Sequence, residues 1–212
     1  MIEDLDPERG GHPSIAAAVP ATQFMGHAYA MSVHGGAMVT APAPKHTFGK
    51  YRICLVCLGN ICRSPTAEVV LREELGRVGL SGQVEVDSAG TGDWHVGEPM
   101  DPRARTELSR RGYNGAGHRA RQFKPSWFGR YDLVVAMDQG NLERLRRMAP
   151  DPQAVQRTAL LRCFDPAIAG RDLDVPDPYS GGAEDYALVF DLVQPAVRGL
   201  AEQLRLLLSH VQ

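Results

Sequence analysis

Charge of one sign is what this 212-residue sequence most clearly lacks: 23 Lys and Arg stand against 25 Asp and Glu, for a formal net charge of −2. A general nucleic-acid binder or an anionic-membrane binder needs a broad basic footprint, so neither nucleic acid nor a membrane is expected as a partner. Any anion must be held by a local site. Cysteine is scarce at four residues, which excludes a disulfide framework and suits a reducing cytoplasm. Long apolar runs are missing from residues 1–49 as well. The longest there, Ile15 to Val19 ahead of Pro20, is too short for a membrane span or a secretion signal, and the ten residues that open the chain are acidic where a signal would be basic.

Those 49 residues hold only two Phe and one Tyr among nine Ala, six Gly and five Pro, with no helical or strand period. Such a stretch cannot bury enough apolar surface to offset its ordering entropy, so residues 1–49 are expected to form a flexible extension. Met25, Met31 and Met38 are each possible internal starts, and His12, His27, His34 and His46 have no metal-like spacing. Residues 50–212 remain as one domain of ordinary size.

Within that domain the patterns alternate. Ile53–Leu58 is a continuous apolar run of strand length, as in a central strand buried on both faces of a parallel sheet. Ser64 as N-cap and Pro65 at the first helical position start a helix that carries Ala67, Val70, Leu71, Leu75 and Val78 on one face and ends at Gly79. Strands follow at Gln83–Ser88, Tyr131–Met137 and Thr158–Cys163, with an extended piece near Arg119–Phe123. Helices are expected at Pro102–Arg111, from the Asp138 cap to Met148, and at Ala183–Leu208 with Pro195 kinking it. This is an α/β fold: a central four-stranded parallel sheet with helices on both faces, whose ligands sit at the carboxyl ends of the strands.

The unusual residues lie at the end of the first strand. Cys57 is followed six residues later by Arg63, with Gly59 and Asn60 between them, the two residue types that best tolerate left-handed backbone angles. A loop turning that tightly points successive N–H groups inward, and the helix start adds partial positive charge. It suits a tetrahedral oxyanion, with the planar fork of Arg63 clamping two oxygens. Cys57 at the floor of this nest sits in surroundings that favour a thiolate, in line to form a phosphocysteine. Hydrolysis of an aryl phosphate also needs a proton for the leaving phenolate. Asp177, between Pro176 and Pro178 and followed by Gly181 and Gly182, offers a carboxyl group on a stiffened segment hinged at one end.

Val56–Pro65 resembles the phosphate-binding loop of the low-molecular-weight protein tyrosine phosphatases, and Asp177-Pro178-Tyr179 resembles their acid loop. The segments Ser88 to Pro99 and Met100 to Ala104 are also similar to that family, and the likeness spans about residues 51–208. The resemblance implies Cys57 as nucleophile, Arg63 as phosphate clamp and Asp177 as acid and then base. It implies further that the loop residues Leu58, Gly59, Asn60, Ile61, Cys62 and Ser64 surround the phosphate. Ser64 would bond the thiolate, and Ser88 would help hold Asn60 in its strained conformation. Trp94 and Tyr179 would wall the phenyl ring, and Ser180 stands where many relatives carry a second aromatic. No cofactor and no metal is implied, and phosphotyrosine-containing proteins are the expected substrates.

Cys54 and Cys57 are three apart within a strand and point to opposite faces, so Cys54 is expected in the core and a metal or redox pair there is not. The family likeness gives Cys62 a reversible disulfide with Cys57. Cys163, after a strand, is assigned to structure. An arsenate reductase would need two further cysteines downstream, and none occurs between Cys62 and Cys163. A protein-arginine phosphatase on the same scaffold usually has threonine where this chain has Ile61. A non-enzymatic phosphocysteine carrier would lack the equivalents of Arg63 and Asp177. The last two stay open as alternatives to a tyrosine phosphatase.

Overall fold

The computed structural model describes residues 39–46, 48–168 and 172–209. The readings of His12, His27 and His34 and of the three internal starts lie outside them. Strand β1 (Tyr51–Cys57) alternates its side chains between two apolar layers. Ile53, Leu55 and Cys57 face one core cluster, and Cys54 and Val56 face the other. A strand apolar on both faces must be covered on both, and β1 is also flanked on both edges by parallel partners, β2 (Val84–Gly90) and β3 (Leu133–Ala136). With β4 (Thr158–Leu160) beyond β3, the sheet order is β2-β1-β3-β4, all parallel. The chain reverses its direction of travel across the sheet between β1 and β3, the switch point at which such sheets hold ligands.

Helix α1 (Arg63–Arg77), α2 (Pro102–Arg110) and α5 (Ala183–Ser209) cover one face. The other carries α3 (Gln139–Met148), a short helix α4 (Pro152–Gln156) and a 3-10 turn at Pro125–Gly129. On α5, Val193, Val197, Leu200 and Leu204 are wholly buried. Each contributes about 1.5–3 kcal/mol by leaving water. The helix continues through Pro195. Gly199 lets it press on the turn after β4, since a Cβ there would lie 1.9 Å from the Phe164 carbonyl oxygen. Among the described residues no helix is long and apolar enough to cross a membrane.

Some elements differ from the reading by pattern. The Thr158–Cys163 strand is cut to Thr158–Leu160, because the chain tightens into a 3-10 turn, Leu161–Phe164, that includes Cys163. The Arg119–Phe123 segment makes a single parallel bridge, Gln122 to Gly90. Helix α4 was not anticipated. It is too short for an apolar period, although Asp151 caps it by accepting from the Ala154 N–H at 2.7 Å.

Order does not wait for Gly49. Gln203 holds Val39 and Ala41 through both ends of its amide, at 3.1 and 3.0 Å. Tyr51 donates to the Pro42 carbonyl at 3.0 Å and Arg157 to that of Ala43 at 2.9 Å, while Asp132 accepts from the Lys45 N–H at 2.6 Å. The small apolar side chains and prolines of this stretch show no helical or strand period, although Val39 and Ala41 pack against the core. Its backbone is held by polar groups of the domain, which satisfy donors and acceptors that would otherwise need water.

Candidate active site

The turn from β1 into α1 is built around one strained residue. Asn60 has φ of +58°, a left-handed angle that costs a non-glycine residue about 1–2 kcal/mol. Every polar group of its wholly buried side chain is used. Its Nδ2 donates to Ser64 Oγ at 2.9 Å and to Ser88 Oγ at 2.8 Å, and its Oδ1 accepts from the Arg121 N–H at 2.8 Å. Its carbonyl accepts from His118 Nε2 at 2.7 Å, which fixes the proton on that nitrogen. Ser88 in turn hydrogen-bonds Glu68. Burial pushes the His118 pKa down, against the Asn60 carbonyl and Glu68, which pull it up.

This scaffold brings a backbone N–H and a hydroxyl to sulfur. The Asn60 N–H lies 3.2 Å from Cys57 Sγ, and Ser64 Oγ lies 3.0 Å from it. Ser64 is therefore not the N-cap that its place before Pro65 suggested. The helix begins two residues earlier than expected, at Arg63, with Cys62 as an N-cap lacking any side-chain bond. The Ser64 hydroxyl faces inward, toward Cys57, Asn60 and the Ala89 carbonyl at 3.2 Å.

Arg63 is buried and held from three sides. One terminal nitrogen donates to Asp138 Oδ2 at 2.5 Å and to the Val175 carbonyl at 3.1 Å, and the other to Asp177 Oδ2 at 2.5 Å. Its Nε has no partner among the described residues. Burial alone would lower the Arg63 pKa, but the charges on Cys57, Asp177 and Asp138 outweigh it and raise it, so the guanidinium is fixed as a cation. Asp138 also caps α3 through its other oxygen, which accepts from the Asn141 N–H at 2.6 Å. The approach to Asp177 is anchored to the ends of the sheet. The Val175 N–H donates to the Met137 carbonyl at 2.8 Å, and Arg162 to that of Asp174 at 3.1 Å.

Above these residues opens a small cleft of about 140 Å³. Cys57, Arg63 and Asp177 meet there with Leu58, Gly59, Ile61 and Cys62, and Trp94 and Tyr179 form its rim. Asn60, Ser64 and Ser88 do not line it. All three are wholly buried behind the loop that does. Trp94 is 66% exposed and Tyr179 51%, unusual for rings with no covering element. Trp94 lies over Gly92, where a Cβ would come within 1.8 Å of the indole.

Sequence reasoning missed His95, Asp138, His118, Glu68 and Tyr186. His95 lines the cleft, its ring 5.9 Å from that of Tyr179 and its Nδ1 2.7 Å from Glu98. Tyr186 Oη lies 3.6 Å from Cys62 Sγ, and burial pushes that thiol's pKa up to about 12. Asp138 was legible as a helix cap but not as a partner of Arg63, 75 residues earlier.

A cysteine floor, a fixed guanidinium and a separate carboxyl group at the switch point of a parallel sheet define a phosphatase of the cysteine-loop class. Residues 52–207 match the family described as low molecular weight phosphotyrosine protein phosphatase. A low molecular weight protein-tyrosine-phosphatase of Streptomyces coelicolor is 53% identical over 155 residues, covering 73% of this chain and 94% of the relative. The crystal structure of a protein tyrosine phosphatase from Entamoeba histolytica, 34% identical, superimposes with a TM-score of 0.69 over 73% of this chain and 97% of its own. That of Wzb from Vibrio vulnificus, solved in complex with benzylphosphonate, is 31% identical with a TM-score of 0.62, over 73% and 99%. The chain belongs to the low molecular weight phosphotyrosine protein phosphatase family.

Proposed function

We propose that this chain hydrolyses phosphotyrosine in proteins through a phosphocysteine, with Cys57 as nucleophile, Arg63 as clamp and Asp177 as acid and base. The observation that carries the reading is the convergence of those three side chains on one cleft rimmed by two exposed aromatic rings. In the first step the Cys57 sulfur attacks phosphorus, the S–P bond forms as the ester P–O bond breaks, and the Asp177 carboxyl proton passes to the leaving phenolate. In the second, Asp177 takes a proton from water, whose oxygen attacks phosphorus and releases phosphate as the S–P bond breaks.

The Asp138 and Asp177 carboxylates hold the Arg63 fork before substrate arrives. As the phosphate binds, Asp177 gives up its bond to Arg63, takes a proton from solvent and turns to the leaving oxygen, and the unused Nε adds capacity for an oxyanion. The Asn60 N–H and Ser64 hydroxyl stabilise sulfur as it leaves phosphorus in the second step. Benzylphosphonate, carried by the Vibrio vulnificus relative, joins a tetrahedral phosphonate to a phenyl ring, which is the shape this cleft and rim would take. The four free thiols fit a cytoplasmic setting.

The test is a panel of phosphotyrosine and phosphoarginine peptides with the full chain, alongside Cys57→Ser and Asp177→Ala. Turnover of phosphotyrosine, lost in Cys57→Ser while vanadate still binds, supports the reading. Asp177→Ala should cost roughly 10²–10⁴ on phenyl phosphate and far less on p-nitrophenyl phosphate. Faster turnover of phosphoarginine would transfer the assignment to an arginine phosphatase, and absence of all turnover would leave a phosphocysteine carrier.

A further inference from the structure

We propose that Arg103 is a positioning residue: it spans from the start of α2 to the Asp177 loop and holds that loop over the cleft. The proposal rests on the reading of Asp177 as the acid. Val175 and Asp174 anchor the near side of the loop to the sheet, but nothing of the sheet reaches its far side, Tyr179 to Gly182. There one terminal nitrogen of Arg103 donates to the Gly181 carbonyl at 3.0 Å and the other to the Tyr179 carbonyl at 3.0 Å. The same guanidinium is fixed at its base by Asp101, through Nε at 3.1 Å and a terminal nitrogen at 2.9 Å. Its plane lies over the Tyr186 ring, 4.8 Å from the centroid, and 5.9 Å from that of Tyr179.

Asp101 is itself tied to the phosphate loop, since its N–H donates to the Ile61 carbonyl at 2.9 Å. A continuous path therefore runs from the nucleophile's loop through Asp101 and Arg103 to the segment bearing the acid. Only a planar fork meets two carbonyls and a carboxylate together, and a lysine ammonium would reach fewer of them. Without this brace the far side keeps contacts within its own segment, Tyr179 N–H to Asp177 Oδ1 at 3.2 Å, Gly181 N–H to the Pro178 carbonyl at 2.9 Å, Gly182 N–H to Asp185 at 2.7 Å and Asp185 N–H to the Gly182 carbonyl at 3.2 Å, together with the His95 ring beside Tyr179. Asp177 would then spend less time within reach of the leaving oxygen. A misplacement of about 1 Å costs on the order of 10² in rate, so a partial loss of position should cost about tenfold.

The effect should follow the need for a proton. In Arg103→Ala, kcat on phenyl phosphate is expected to fall about tenfold, and on p-nitrophenyl phosphate less than about threefold, with inhibition by vanadate unchanged. Arg103→Lys keeps a cation beside Asp101, protects the fold of α2, and should show the same selective loss. In an Asp177→Ala background, adding Arg103→Ala should change phenyl phosphate turnover by less than about twofold, because the group being positioned is gone. Equal losses on both substrates, additive losses in the double variant, or wild-type behaviour of Arg103→Lys would overturn the proposal. Should Asp177→Ala itself lose both substrates equally, the acid assignment fails first, and the role of Arg103 with it.

Discussion

Replacing Asp138 separates two jobs that one carboxylate performs. Its Oδ2 meets buried Arg63 at 2.5 Å, and its Oδ1 caps α3 on the Asn141 N–H at 2.6 Å. Asparagine caps a helix about as well as aspartate, so Asp138→Asn removes the negative charge that faces Arg63 and leaves the cap. Breaking a buried ion pair outright costs about 3–5 kcal/mol. Here Arg63 keeps the Asp177 carboxylate and the Val175 carbonyl, which reduces the loss to that of one charged hydrogen bond, about 1.5–3 kcal/mol. Asp138→Ala gives up the cap as well and should cost about 1 kcal/mol more. The assay is urea unfolding at pH 7, in which both variants should lower the midpoint without changing the slope. If Asp138→Asn matches the unaltered chain while Asp138→Ala loses about 1 kcal/mol, Asp138 is a cap only and contributes nothing through Arg63.

Three further outcomes are expected, two from the geometry and the third from the family likeness. Gly92→Ala should push the Trp94 indole off its seat and raise KM for aryl phosphates several-fold with kcat little changed; an unaltered KM would remove Trp94 from the pocket wall. His118 is held neutral by burial, with its pKa below the usual value of about 6.5. The unfolded chain therefore binds a proton that the folded chain refuses. That contribution to stability is intact above about pH 6.5 and is lost as pH falls from there toward the lowered folded pKa, by at most about 1.4 kcal/mol per pH unit. His118→Gln should flatten urea-derived stability between pH 7 and 5, and an unchanged slope would refute it. Peroxide should convert Cys57 to a sulfenic acid, which the Cys62 thiol condenses with to form a disulfide and water; dithiothreitol then restores activity. Recovery that is equally complete in Cys62→Ser would exclude that pairing.

How far the sequence could be read depended on the range of the interaction. The order of elements follows from local signals: the two-faced apolar run in β1, the helical spacing of Val189 to Leu208, and the Asp138 cap. The start of α1 lies two residues before the place its local signals mark, because the Ser64 hydroxyl is drawn to Cys57 and Asn60, a tertiary contact that overrides its local preference as a cap. Cys57, Arg63 and Asp177 could be picked out by residue type and setting. Their supports could not. Asp138, Arg103 and His118 are common residues at unremarkable positions, and their partners lie 58 to 78 residues away.

The polar lacing of residues 39–45 bears on where the chain may be cut. A protein begun at Met25, Met31 or Met38 retains every residue of that segment. One trimmed to the homologous region, from residue 52, discards it together with the Tyr51 hydroxyl, and strips Gln203 on α5, Asp132 ahead of β3 and Arg157 ahead of β4 of backbone partners. The contacts of the domain therefore reach further toward the start of the chain than the region shared with relatives does, and the shorter fragment carries its exposed seams at the end of the sheet opposite the cleft.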